Sequence, residues 1–203
     1  MMVSSVYFHG PEGGKKEIED LRFYREYLAE PITRTLGRRP SSFLCGYFFH
    51  LITDRLWALK VGQPTRQRFA SQFEADPEFI SEVKRDWYGL DFDYVRANRA
   101  SLYWRVFRNA AFTEHPLPFM PQGAIQRNLE YIQKLYQRED EEIEDYYIRR
   151  PNKYLLKEDM DRFVAEASQV LEQVHRLVTG GSLITQRAMS VFELDPFATT
   201  VGA

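Results

Sequence analysis

The sequence predicts an all-α protein, a single-domain bundle of several helices. Two observations carry this prediction: apolar residues recur every three or four positions over most of the chain, and runs that alternate between apolar and polar residues are scarce. The chain has 203 residues, of which 44% are hydrophobic and 15% are aromatic. A chain of this length and composition can bury one substantial core.

The first two helices are delimited by serine, glycine and proline. Apolar residues within 18–28 share one stripe, which predicts a first helix there. Ser41 or Ser42 is well placed to cap a second helix, which carries the most apolar segment of the chain. Gly62 and Pro64 are expected to close this second helix.

The middle of the chain predicts two more helices and a break. A third helix is expected over 65–74, and a fourth after Asp76, which would cap it with Pro77 at the first helical position. The aromatic and glycine-containing stretch 87–94 is expected to interrupt the fourth helix before a further helix continues to about Ala111.

The remaining helices follow a segment rich in proline. Residues 116–121 contain three prolines, which exclude a helix there. A long helix is then expected over 122–149, and a last clear helix over 157–178, where apolar residues keep the helical spacing. Gly180 and its neighbour end it. We therefore expect a helical domain over 1–180 and a C-terminal tail over 181–203, part of which is expected to be disordered.

Charge and cysteine content narrow the classes of function. The net charge of -2 at pH 7 lacks the basic excess typical of nucleic-acid binding. The single Cys45 excludes an internal disulfide and fits a reducing compartment. The longest apolar run, 43–49, is far shorter than the roughly 20 residues that a membrane-spanning helix needs. With no signal-peptide pattern at the start, we expect a soluble, cytoplasmic protein.

The most informative polar pair is His50 and Asp54, one helical turn apart within the apolar segment 42–57. Burying both side chains costs free energy unless they bind each other, a neighbouring polar side chain, or a metal ion held by both. The candidate third metal ligand is His9, since two imidazoles and a carboxylate are acceptable zinc ligands.

Other polar residues predict more ordinary roles. Asp86, Asp91 and Asp93 surround the expected helix break, where helix caps are the commoner role for Asp. His115 is expected in a loop and His175 on the polar side of the last helix. No phosphate-binding glycine loop, paired-cysteine motif or hydrolase nucleophile motif occurs, and no catalytic residue is assigned.

Residues 43–57 resemble the zinc-dependent phospholipase C family, in which a Gly-Tyr pair, a His-Leu pair and an Asp follow one another at the spacing of Gly46-Tyr47, His50-Leu51 and Asp54. The segment that ends in His9 is similar to the upstream histidine region of that family. The resemblance implies an all-α fold like that of phospholipase C and the S1/P1 nucleases. It also implies that His50 and Asp54, with His9 as a third residue, bind zinc. In such enzymes zinc polarises a phosphodiester and supplies a hydroxide nucleophile.

Two features of that family are missing from this sequence. Neither His115 nor His175 is followed by Glu four residues later, and no histidine precedes His9. A truncated start, a site with fewer metal ions and a family fold without catalysis all remain open.

Two hypotheses about function follow. The first is a zinc-dependent phosphoester hydrolase, acting on a small phosphodiester or a phospholipid, with a reduced or inactive site as a variant of it. The alternative is a non-catalytic helical scaffold or interaction protein, in which His50 and Asp54 form a buried pair.

Overall fold

The fold is described by a computed structural model over residues 8–10, 14–29, 37–114, 116–139, 142–143, 151–183 and 187–201, without the side chains of residues 9, 10, 39 and 201. The described chain is mostly helical, as predicted, with one short antiparallel hairpin. By its internal contacts the chain divides into two compact units, residues 1–67 with 163–203, and residues 68–162. None of the described helices combines the length and the apolar character needed to cross a membrane.

The described residues of the first part of the chain form two strands and five helices. They are β1 (His9–Gly10), β2 (Gly14–Ile18), α1 (Asp20–Phe23), α2 (Arg38–Trp57), α3 (Gln63–Arg68), α4 (Ala70–Ala75) and α5 (Phe79–Ala97). Single π-helical turns follow two of these helices, at Tyr24–Leu28 after α1 and at Ala58–Gly62 after α2.

The described residues after α5 form four more helices and two short 3-10 turns. The helices are α6 (Leu102–Arg105), α7 (Ala124–Leu135), α8 (Lys157–Thr179) and α9 (Ala198–Val201). The 3-10 turns lie at Phe107–Asn109 and Val191–Glu193. Helix α8 matches the predicted last helix, and the residue that follows its terminal turn, Gly181, has φ of 64°, a left-handed conformation that favours glycine.

Several predicted boundaries are wrong. Residue 18 belongs to β2, so the first helix starts only at Asp20. Gly37 precedes α2, and Ser41 lies within it, donating its hydroxyl to the carbonyl of Gly37 at 3.1 Å. Pro77 lies in a turn before α5, although the Asp76 side chain accepts a hydrogen bond from the amide of Glu78 at 2.8 Å.

The largest error concerns α5, which runs unbroken through the predicted interruption at 87–94. Its buried residues include Phe79, Val83, Asp86 and Leu90, which continue one helical stripe past Gly89. Packing along this stripe outweighs the cost of a glycine inside a helix, roughly 1 kcal/mol. Helix α7 ends at Leu135, well short of the expected helix over 122–149, of which residues 140, 141 and 144–149 lie outside the described part.

The core of the first unit forms where the hairpin and α1 pack on α2. Phe8 and Phe23 are fully buried, and their ring centroids lie 5.2 Å apart in an edge-to-face arrangement. Phe23 also lies 4.9 Å from the ring of Tyr47 on α2. These aromatic contacts join the start of the chain to the helix that carries the predicted site.

The C-terminal residues complete this unit around Asp20. Three side chains of the expected tail, Val191, Phe192 and Phe197, are buried. The fully buried Asp20 carboxylate accepts a hydrogen bond from the amide of Val191 at 2.9 Å. Burial raises the pKa of Asp20 from 3.8 to about 7, although hydrogen bonds from Ser190 and Val191 and the charge of Arg55 act in the opposite direction.

The second unit is held by aromatic contacts and by partly buried hydrogen bonds. The ring centroid of Tyr154 lies 5.1 Å from that of Phe69 and 5.3 Å from that of Phe79, and both contacts are edge to face. Helix α7 is joined to the preceding segment by the side-chain amide of Gln133, which donates to the carbonyls of Phe107 at 2.8 Å and Ala110 at 2.9 Å. These contacts position the residues that follow α7.

Candidate metal-binding site

Helix α2 places His50 and Asp54 on one face, as their spacing predicts. The Nε2 atom of His50 lies 3.6 Å from the Oδ2 atom of Asp54, which is too long for a hydrogen bond. The two groups therefore face one another without forming a closed pair.

The expectation that both side chains are buried is wrong for His50, whose side chain is 41% exposed, against 16% for Asp54. The fully buried residues of α2 are Leu44, Phe48, Leu51, Ile52 and Leu56, which recur at three- and four-residue intervals on a different side of the helix. The buried pair of the scaffold hypothesis is thus not present in that form.

Lys15 is a third member of this site that the sequence did not indicate. Its Nζ atom lies 2.7 Å from Oδ2 of Asp54, and its side chain is 48% exposed. Lys15 reaches α2 because the hairpin packs on that helix, and this long-range contact leaves no local signal in the sequence. This ion pair balances the charge of the Asp54 carboxylate, although Oδ2 has no hydrogen-bond partner of good geometry among the described residues.

The third predicted metal ligand, His9, lies on the strand that pairs with β2. His9 is opposite Ile18, and the carbonyl of Ile18 accepts a hydrogen bond from the Arg55 side chain on α2 at 2.8 Å. The backbone of His9 is thus one strand away from a direct contact between β2 and α2. The side chain of His9 lies outside the described part, so its role as a ligand stays a prediction.

Among the side chains that the structure describes, no group of three or more His, Cys, Asp or Glu residues is arranged to hold a metal ion. The distance between the two described donor atoms can be compared with the spacing of two ligands of one ion. Zinc bonds of about 2.0–2.1 Å at a tetrahedral angle place two ligand atoms roughly 3.4 Å apart. The observed separation of 3.6 Å between His50 and Asp54 is close to this value.

The aspartates expected as helix caps have other positions in the second unit. Asp86 is buried within α5, and its Oδ2 atom accepts hydrogen bonds from three successive amides, those of Lys153 at 2.7 Å, Tyr154, and Leu155 at 3.1 Å. Asp91 accepts a hydrogen bond from the hydroxyl of Tyr136 at 3.1 Å, and burial raises its pKa. The prediction that these residues cap helices is wrong, because α5 continues through them.

The other two histidines are not members of the described site. His175 is exposed on α8, where its ring centroid lies 6.1 Å from that of Phe49. His115 lies outside the described residues.

Comparison with protein-family models, with curated proteins and with solved structures finds no match for this chain, so the resemblance of residues 43–57 to zinc-dependent phospholipase C stays a prediction.

Proposed function

We propose that the protein is a zinc-dependent phosphoester hydrolase, or a descendant of one with a reduced site, and that His50 and Asp54 are metal ligands with His9 as the third. The observation that carries the proposal is the 3.6 Å separation of Nε2 and Oδ2 on one helix face, which suits two ligands of a single ion. The position of β1, paired with a strand that contacts α2, supports His9 as the residue that completes the set.

Lys15 is the competitor for this site. A metal ion and an ammonium group cannot both lie against the same carboxylate oxygen without repulsion. The side chain of Lys15 is nearly half exposed, so it has room to swing into solvent when a cation binds. Metal affinity would then depend on the strength of the Lys15–Asp54 ion pair, a dependence that a site without such a competitor lacks.

Bound at these donors, zinc would supply Lewis-acid chemistry toward a phosphoester and a water molecule. The residues of the chain hold and orient the donors: α2 fixes the spacing of His50 and Asp54, and the hairpin brings Lys15 to Asp54. A small phosphodiester or a phospholipid is the proposed substrate class. The net charge of -2 argues against a nucleic acid.

The test is the zinc content of the whole chain, purified without a histidine tag and after zinc incubation, beside His50→Ala and a His175→Ala control. Both histidines are exposed on long helices of the first unit, so neither change should unfold it. We expect about one zinc ion per chain, lost in His50→Ala and retained in His175→Ala. Hydrolysis of bis(p-nitrophenyl) phosphate by the loaded protein then tests turnover. Equal zinc content in the two variants overturns the proposal.

The Lys15–Asp54 ion pair favours a second candidate, in which these residues only fasten the hairpin to α2 in a scaffold or interaction protein. The two candidates predict opposite results for Lys15→Met. If Asp54 is a metal ligand, removing its competitor tightens zinc binding. If the pair is structural, the variant binds no zinc and loses roughly 1 kcal/mol of stability, the usual scale for a partly exposed ion pair.

A further inference from the structure

A cavity of about 460 Å³ in the second unit is lined mainly by cationic and aromatic side chains. It lies among the end of α5, helix α6 with the turn that follows it, and the residues directly after α7. The cationic and aromatic residues of its lining are Arg96, Arg99, Arg108, Arg138, Trp104 and Tyr136. Glu139 is the one acidic residue among the described residues that line the pocket, so this part of the lining has a net positive charge on a chain whose net charge is -2.

The indole of Trp104 organises two of these arginines. Its Nε1 atom donates to the carbonyl of Val95 at 2.6 Å, which fixes the ring. The guanidinium carbon of Arg99 lies 4.1 Å from the Trp104 ring centroid, and that of Arg108 lies 5.5 Å from it. A guanidinium that packs over a ring keeps its N–H donors at its edge, where they remain available to a ligand.

The other two arginines are joined to each other. A side-chain nitrogen of Arg96 donates to the carbonyl of Arg138 at 3.3 Å, and the Arg96 guanidinium lies 5.5 Å from the ring centroid of Phe92. Tyr136, whose hydroxyl donates to Asp91, anchors the start of the same segment to α5. Backbone and ring contacts thus hold the side chains of Arg96, Arg99 and Arg108 at the pocket.

Within the described part of the chain, Arg99, Arg108 and Arg138 have no ion pair with a carboxylate, in contrast to Arg22, Arg85 and Arg176 elsewhere. Cations gathered at one cavity repel each other, and a bound anion would relieve that repulsion. Binding of an anion in this pocket is therefore favoured by electrostatics.

We propose that this pocket binds a compact, multiply charged phosphate anion with two or more linked phosphoryl groups, as in inorganic pyrophosphate. Arginine recognises phosphoryl oxygens through its fork of N–H donors, and several arginines call for several negative charges. The volume lies within the usual range for small-molecule sites, about 300–1,000 Å³. Because Arg99 lies over the Trp104 ring, it competes with a nucleotide base for stacking there, which favours the phosphate group as the recognised part.

Isothermal titration of the whole chain with inorganic pyrophosphate, without divalent metal and at constant ionic strength, tests the proposal. We expect one saturable site, at least tenfold tighter for pyrophosphate than for orthophosphate or sulfate, and about equal affinity for ADP. Arg99→Gln and Arg108→Gln should each weaken binding about tenfold or more, as expected for the loss of a charge-assisted hydrogen bond. Glu139→Gln should tighten binding, because it removes a negative charge from the described lining.

Arg105→Gln is the matched control. Arg105 is exposed on α6, one residue from Trp104, and is not among the lining residues, so this change alters net charge equally without altering the pocket. Pyrophosphate binding that is absent, or weakened equally by Arg105→Gln and Arg99→Gln, overturns the proposal. His50→Ala should bind pyrophosphate normally, so the outcome is independent of the metal site proposed above.

Discussion

Replacing Asp20 by Asn should remove a large pH dependence of stability from the first unit. The carboxylate is fully buried, and one of its oxygens, Oδ2, has no hydrogen-bond partner among the described residues. The charge of Arg55 favours its ionised form, and its other oxygen accepts a hydrogen bond from the Val191 amide. Burial dominates these effects and raises the pKa from 3.8 to about 7.

The direction in which stability changes with pH depends on whether the folded or the unfolded chain binds the proton more tightly. The folded chain keeps Asp20 protonated to about pH 7, whereas the unfolded chain releases the proton near pH 3.8, so stability falls as the pH rises between these values. The full difference corresponds to roughly 4 kcal/mol, at about 1.4 kcal/mol for each pH unit. Roughly 2–3 kcal/mol of this loss should occur between pH 5 and pH 8.

Urea unfolding at pH 5 and pH 8 measures this loss. Trp57 is the one tryptophan of the first unit, so its fluorescence in a Trp87→Phe, Trp104→Phe background reports that unit. Asp20→Asn should unfold with a much weaker pH dependence, while Glu17→Gln, which alters an exposed carboxylate on β2, should behave like the parent. An unchanged pH dependence in Asp20→Asn would refute the argument and indicate that Asp20 is ionised beside Arg55.

Two further changes test the fold. Asp86→Ala leaves the amides of residues 153–155 without their acceptor and should destabilise the second unit by about 2–5 kcal/mol. Urea unfolding measures this loss, with Asp161→Ala, a change of an exposed carboxylate, as the control. A loss below about 0.5 kcal/mol contradicts the role given to Asp86. Gly181→Ala places a side chain on a residue with φ of 64° and should lower stability by roughly 1 kcal/mol, whereas an unchanged or higher melting temperature contradicts that argument.

The bounds of a helix with one apolar stripe could be predicted from the sequence. The residues that surround His50 and Asp54 could not be predicted in this way. Helix α8 follows its stripe from Lys157 to Thr179 almost to the residue. Helix α2 is apolar on several sides, since Phe43 and Phe49 flank the face that is buried, so the sequence did not show on which side of the helix His50 lies. The residue pattern placed His50 and Asp54 together but overestimated the burial of His50.

Contacts between distant parts of the chain explain the other omissions. Lys15 meets Asp54 only because a hairpin of two short strands packs on α2, and two- and five-residue strands give too short a pattern to detect. The arginine pocket had a visible signal, since residues 96–108 contain four arginines and no acidic residue. That signal becomes informative only when α7 brings Tyr136 and Arg138 to the same cavity.

The hydrogen bond between Asp20 and Val191 has a consequence for how the chain acquires its structure. It joins residues 171 positions apart, and the unit that it completes is assembled from residues 1–67 and 163–203 around an insertion of residues 68–162. During synthesis the inserted unit emerges whole and has all its own residues available to fold, while the flanking unit must wait for its second half. A nascent chain that ends before residue 187 therefore exposes the apolar surface that Val191, Phe192 and Phe197 later cover. Exposed apolar surface of this kind makes the unfinished chain prone to aggregation.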